Sequence, residues 1–219
     1  MNTASGPSAP KTRDADTESR ILDAARRVFT RKGTSGARVQ DIAAEAGVNQ
    51  ALVHYYFGSK DALAERVFIE SAQLVGRAFL GAPIDGLSLE AMIEHLVTGY
   101  IDAVRRAPFI PAYVLSEAHQ HPERADQLLR AAFGVIPADV AALMLARVQG
   151  EIDERVAAGT LRPMSPRQLM VNVMALTVFP FIAKPILDRA LGLSGDTFEQ
   201  FLDERRTELP RFILNALRP

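Results

Sequence analysis

Apolar residues recur every three to four positions along almost the whole chain. No sustained alternating run of β-branched residues interrupts them, so the pattern predicts helices throughout and no sheet. A first helix is expected over about Thr17 to Lys32, where Ile21, Ala25, Val28 and Phe29 share a face flanked by Leu22. Asp16 or Thr17 can cap its start, and Gly33 ends it. A short helix comes next over about Val39 to Ala46, stopped by Gly47. Asn49 stands at an N-cap position before a second short helix, Gln50 to Tyr56. Gly58-Ser59 breaks the chain again, and Ser59 can cap a longer helix from Lys60 to about Leu80. Beyond the turn residues Gly81, Pro83, Asp85 and Gly86, Ser88 caps a helix reaching about Arg106. Pro108 and Pro111 then interrupt the helical pattern, and another helix starts near Pro122. A long helix runs from about Ala138 to Ala158, ended by Gly159. The next is capped by Ser165, begins with Pro166 and reaches about Leu187, with bends at Pro180 and Pro185. The last starts near Asp196 and ends near Ala216. There is no internal repeat.

The first sixteen residues, rich in Ser, Thr, Ala and Pro, are expected to form a flexible arm. The chain then divides into a head over 17–62 and a larger helical body over 63–219. At 219 residues one or two domains are expected. Apolar residues make up 48% and charged residues 23%, which fits a soluble globular protein. The absence of cysteine excludes disulfides, thiolate zinc sites and a cysteine nucleophile. The net charge of −1 hides an asymmetry: residues 1–60 carry nine Lys/Arg against six Asp/Glu, whereas residues 61–219 are net acidic. The first residues hold no apolar leader. The longest uncharged run, Gln168 to Ala183, falls short of the roughly twenty residues a membrane span needs. No membrane association is expected, and the chain reads as cytoplasmic.

The stretch VQDIAAEAGVNQALVHYYFGSK, Val39 to Lys60, carries the functional signal. Two short helices meet at Ala46-Gly47-Val48-Asn49. Ala43 falls where the helices cross and only a small side chain fits. Gly47 falls where a sharp turn favours positive φ. Ile42, Ala46, Val48 and Val53 would hold both helices against the first. This is helix-turn-helix spacing, although many bundles use such a turn without touching DNA. In a DNA-binding protein the N-terminal residues of the second helix face base edges in the major groove. Here they are Asn49, Gln50, Ala51 and His54. Gln can pair bidentately with adenine. His54 and Tyr55 can reach bases or phosphates, and Lys60 at a helix start favours a phosphate. Tyr56 and Phe57 are expected in the core.

The segments ILDAARRVFTRKG at 21–33 and VQDIAAEAGVNQALVHYYFGSKDAL at 39–63 resemble the tetracycline-repressor-like (TetR/AcrR) transcriptional regulators. The resemblance covers the head; the body matches in helical layout and length. It implies an all-α fold with a three-helix DNA-binding head, and a homodimer on a palindromic operator. It also implies a small effector that releases the protein from double-stranded DNA. Carried over by position, Gln40, Gln50, Ala51 and His54 would contact bases. Tyr55 and Lys60 would contact phosphates, and Asn49, at the N-cap, is a further phosphate candidate. The chain departs from the family at Arg38, where Ser or Thr often caps the second helix; an arginine there could grip a phosphate instead. It departs again at Leu52-Val53-His54, where Thr-Leu-Tyr is common.

In the body, two apolar stripes are candidates for a four-helix dimer interface. One holds Leu169, Val173, Leu176 and Phe179; the other holds Phe198, Phe201, Leu202, Leu209, Phe212 and Ile213. The competing reading is that these stripes face their own core. The middle helices would enclose a mostly apolar or aromatic effector, with His95, Tyr100, Phe109, Tyr113, Phe133, Met144, Met170 and Met174 as lining candidates. The helix from Lys60 to Leu80 would link head to body and act as the lever. His119-Gln120-His121 with Glu117 and Glu123 is a loose metal-like cluster better read as an exposed helix end, so no metal or other cofactor is expected. An enzyme is disfavoured: there is no phosphate-binding glycine loop, nucleophile elbow or HExxH. The remaining alternative is a helical protein-interaction module without DNA binding.

Overall fold

The computed structural model describes residues 11–80, 86–122, 126, 130 and 138–219. Among them are ten helices and no strand. They are α1 (Lys11–Gly36), α2 (Val39–Ala46), α3 (Gln50–Phe57), α4 (Lys60–Leu80), α5 (Leu89–Val104), α6 (Ile110–Gln120), α7 (Ala138–Ala157), α8 (Pro166–Ile182), α9 (Lys184–Leu191) and α10 (Gly195–Ala216). The chain separates into two compact units, Met1–Phe68 and Ile69–Pro219, and α4 runs through the division.

The first unit is built on the expected stripe. Ile21, Leu22, Ala25, Val28 and Phe29 of α1 are buried with Ile42, Ala43 and Ala46 of α2, Val53 of α3 and Leu63, Val67 and Phe68 of α4. Helix α1 begins earlier than expected, at Lys11. Residues 11–16 are therefore helical where an arm was anticipated, and the rest of that arm lies outside the described residues. The extra turn has an anchor: the Tyr56 hydroxyl donates to the Asp14 carboxylate at 2.9 Å. Gly33, at φ +68°, breaks α1 and leaves one further turn to Gly36.

In the second unit α5 is the central element. Leu89, Met92, Ile93, Leu96, Val97, Tyr100, Ile101 and Val104 are all buried, at the spacing of a wide apolar face. Its start is capped twice, by the Ser88 hydroxyl on the Ala91 N–H and by the Glu151 carboxylate on the Leu89 N–H. Helix α10 packs along α5. Ion pairs from Arg105 to Glu199 and Asp203, and from Arg206 to Asp102, flank the contact. An aromatic row runs through this core. Tyr100 meets Phe181 edge-on at 5.8 Å, Phe181 meets Phe198 edge-on at 6.1 Å, and Phe198 stacks on Phe201 at 6.1 Å.

Two expectations change here. Pro108 lies in the break between α5 and α6, as expected, but Pro111 does not interrupt the helix: it falls in the first turn of α6, where a missing N–H costs nothing. The helix from Pro166 does not bend on to Leu187. It stops at Ile182, and α9 restarts at Lys184 with Pro185 in its own first turn, turned by 72°. The helix expected near Pro122 falls largely outside the described residues. No single described helix is long and apolar enough to cross a membrane.

Candidate nucleic-acid interface

The turn between α2 and α3 is fixed by backbone chemistry. Gly47 sits in the left-handed region at φ +65° and ψ 37°. Its N–H bonds the Ala44 carbonyl at 3.2 Å, and the Val48 N–H bonds the Ala43 carbonyl at 3.0 Å. These two bonds satisfy carbonyls that the end of α2 would otherwise leave open. Arg20 of α1 donates to the Ala46 carbonyl at 2.7 Å and adds a cation at that C-terminus. The Asn49 side chain then caps α3, accepting from the Leu52 N–H at 2.9 Å.

This arrangement exposes the first turns of both helices. Gln40 on α2 and Gln50, Ala51 and His54 on α3 are all exposed. His54 Nδ1 lies 3.0 Å from the Gly58 carbonyl. In the tautomer that donates from Nδ1, Nε2 is left as an acceptor. Tyr55 is 78% exposed and rests edge-on against Tyr56 at 5.1 Å. Tyr56 and Phe57 are half-buried rather than fully in the core. Burial, and after it the bond to Asp14, raises the Tyr56 phenol above its ordinary range.

Much of the positive charge of the head is paired within it. Arg27 and Arg31 of α1 grip the Glu45 carboxylate of α2 at 2.8 and 2.7 Å, and Lys32 pairs with Asp41 at 2.9 Å. Arg31 and then Arg27 hold Glu45 below the usual carboxylate range. Lys32 and the Arg38 backbone N–H do the same for Asp41. The Lys60 ammonium, half-buried, donates to the carbonyls of Thr34 and Ala37 at 3.1 and 3.3 Å. It ties the end of α1 to α4, so only one of its three donors remains for a phosphate. Arg38 is different. It occupies the N-cap of α2 with an extended backbone, and its N–H donates to the Asp41 carboxylate at 3.1 Å. That bond replaces the missing Ser or Thr cap in part. Among the described residues, Arg38 is the cation of the head whose side chain makes no hydrogen bond or ion pair.

The body candidates sort differently. Leu169, Val173, Phe198, Leu202, Leu209 and Ile213, read as interface, are buried in their own unit and belong to its core. Leu176 and Phe201 are half-buried, whereas Phe179 and Phe212 are 58% and 63% exposed. Val171 of α8 is exposed as well. Among the pocket candidates, Tyr100 and Tyr113 are buried, His95 and Phe109 are half-buried, and Met170 packs against the core. Met174 is exposed and so lines no enclosed cavity. Phe133 and the Met144 side chain lie outside the described residues. Burial pushes the Tyr100 phenol well up. His119 is exposed, Glu117 is buried and Glu123 is outside the described residues. No group of three His, Cys, Asp or Glu able to hold a metal occurs among the described residues. An open groove is lined by Leu176, Phe201, Leu209 and Phe212, all read from the sequence as interface candidates, and by Glu204, Arg205 and Glu208, which the pattern did not single out.

Residues 21–67 match the sequence family of bacterial regulatory proteins of the tetR type. The chain is 33% identical over 132 residues to the HTH-type transcriptional repressor NicS of Pseudomonas putida, covering 58% of each chain. It is 37% identical over 81 residues to an HTH-type transcriptional repressor of Streptomyces coelicolor, covering 37% of this chain and 41% of the other. The chain thus spans about two-fifths to three-fifths of these relatives. The fold is that of solved regulators. The hemolysin II regulator HlyIIR superposes with a TM-score of 0.59 at 21% identity, over 94% of this chain and 99% of that one. The TetR-family regulator PfmR of Thermus thermophilus superposes with a TM-score of 0.62 at 16% identity, over 90% and 97%.

Proposed function

We propose that this chain, whose head is a TetR-family helix-turn-helix domain, is a DNA-binding transcriptional regulator and not an enzyme. It binds a palindromic operator as a homodimer, represses transcription, and is released by a small effector. The observation that carries this reading is the first turn of α3, where Gln50, Ala51 and His54 stand exposed beside a cap supplied by Asn49. An α-helix fits the major groove, and these residues can meet base edges there, with Gln50 suited to adenine. Arg38, Tyr55 and the free donors of Asn49 are available for phosphates on either side, and Lys60 can offer its third donor. The repressor names of the two relatives support repression.

A homodimer places two heads about 34–36 Å apart, one helical turn of DNA. Its interface is drawn on the exposed Val171, Phe179 and Phe212 of α8 and α10, together with the half-buried Leu176 and Phe201. Exposed large apolar side chains of this kind mark an interaction surface. The effector acts by favouring a head spacing that no longer fits successive major grooves, with α4 as the covalent link between head and body. A coupling of about 1–3 kcal/mol between the two sites is typical.

The test is a gel shift on DNA upstream of the protein's own gene at two salt concentrations, backed by selection from random DNA. Specific, salt-dependent binding that is lost in Gln50→Ala is expected. Absence of any specific site in both experiments would leave the interaction-module reading.

A further inference from the structure

The groove on the second unit holds a charge arrangement that one protomer leaves unfinished. Arg205 lies in it half-buried, with its guanidinium 5.5 Å from the Phe201 ring centre. One of its terminal nitrogens donates to the Leu176 carbonyl. Its Nε is buried and has no hydrogen-bond partner, and no carboxylate among the described residues pairs with it. A desolvated guanidinium without a counter-charge is costly, so the groove calls for an anion. The groove also carries Glu204 and Glu208. Glu208 is engaged only by Arg211, in an exposed pair at 3.3 Å that is worth little.

The spacing on α10 identifies what supplies the anion. Phe201, Arg205, Glu208 and Phe212 succeed one another at steps of four, three and four, which places them along one face of the helix. That order is symmetrical about the point midway between Arg205 and Glu208. If a second α10 lies antiparallel across a two-fold axis at that point, Phe201 faces the other copy's Phe212. Arg205 likewise faces the other copy's Glu208, and both contacts occur twice. An isologous interface demands this self-complementarity. We infer that Arg205 and Glu208 form a reciprocal cross-subunit ion pair that sets the register of the homodimer, with the exposed Phe212 of each copy closing over Phe201 of the other. This rests on the homodimer proposed above and adds which residues choose the partner and its alignment.

The experiment is sedimentation velocity on the full chain over a concentration series, with circular dichroism to check helix content. Wild type is expected to dimerise. Arg205→Glu and Glu208→Arg each set like charges face to face twice, and each is expected to weaken the dimer by tenfold or more, about the effect of a single unfavourable charge contact. The double variant R205E/E208R restores complementarity and should recover most of the affinity. A mixture of the two single variants should form heterodimers, since every facing pair is then opposite in sign. Arg205→Glu also removes the Leu176 hydrogen bond, so Glu208→Arg carries the test independently of folding, and circular dichroism must first show that Arg205→Glu retains its helix content. The register is overturned if wild type and both single variants dimerise equally, or if the double variant is no better than the singles. If Phe212→Glu still dissociates the dimer in that case, the homodimer reading stands without this register. A monomeric wild type at all concentrations overturns both.

Discussion

Arg205 of α10 donates a 2.5 Å hydrogen bond to the carbonyl of Leu176 on α8, and that carbonyl is the one Pro180 cannot serve. Proline has no N–H to return to the residue four before it, so an interior proline leaves an acceptor open. The guanidinium fills the gap from a different helix. Arg205→Met should therefore destabilise the body by about 1–3 kcal/mol, the cost of an unsatisfied buried acceptor. In a Pro180→Ala background the helix supplies its own donor, and the same change should cost less. Urea denaturation of the four proteins, read as a double-mutant cycle, measures the difference; strict additivity would refute the link.

Asn49 stabilises α3 whether or not DNA is present, since its side chain caps the helix. Asn49→Ala should lower head stability by about 1 kcal/mol. Asn49→Asp should preserve the cap while removing every side-chain donor. If Asn49→Asp binds DNA as wild type does, capping is the whole role of this residue and the phosphate contact is wrong.

Gly47→Ala should cost about 1–2 kcal/mol, because an L side chain is strained in the left-handed region. A β-carbon there would also stand 3.3 Å from the Arg20 guanidinium that bonds the Ala46 carbonyl. Thermal denaturation should show the loss with Gln50 and His54 untouched.

Arg38 and Lys60 should separate in opposite directions. Arg38→Ala should leave the melting temperature nearly unchanged, weaken binding to all DNA sequences alike, and flatten the salt dependence by about one unit of slope. Lys60→Met strips donors from the Thr34 and Ala37 carbonyls. It should therefore destabilise the head by about 1 kcal/mol. Confinement of the Arg38→Ala defect to one base position would contradict a phosphate contact.

Acid should loosen the body through Glu90. The Arg155 guanidinium beside it pulls its carboxyl down to about 2 from an ordinary value of 4.5. The stabilisation is present in full above pH 4.5 and fades as pH falls toward 2. Half-exposed in water, the pair is worth no more than about 1 kcal/mol. Arg155→Met should flatten the stability profile between these two pH values, measured by urea midpoints.

The helix stops were legible because their chemistry is local. Gly33, Gly47 and Gly159 each hold positive φ where the reading expects a break. Helix α6 was not, because a proline ends a helix or begins one according to a register that sequence alone leaves open. The apolar stripes on α8 and α10 were legible, but which of their residues face the protein's own core was not, for a related reason. Helix α8 is apolar on several faces, with Leu169 and Val173 buried but Val171, Met174 and Phe179 exposed. Periodicity then locates a stripe without saying which stripe meets the protein's own core. The carbonyl bonds of Lys60 and Arg205 were not legible, because their partners lie 23 to 29 residues away and no motif announces them.

The cap by Asn49, the Gly47 turn and buried Val53 hold α3 in place, while Gln50 and Ala51 stand exposed. The machinery that aims the helix is thus separate from the letters it presents. A two-turn helix is too short to persist alone, so an excised peptide of this stretch would be inert, yet within the head its outward positions can be rewritten at little structural cost. On the proposed function, the DNA sequence recognised can then change through a few outward substitutions while the fold is kept.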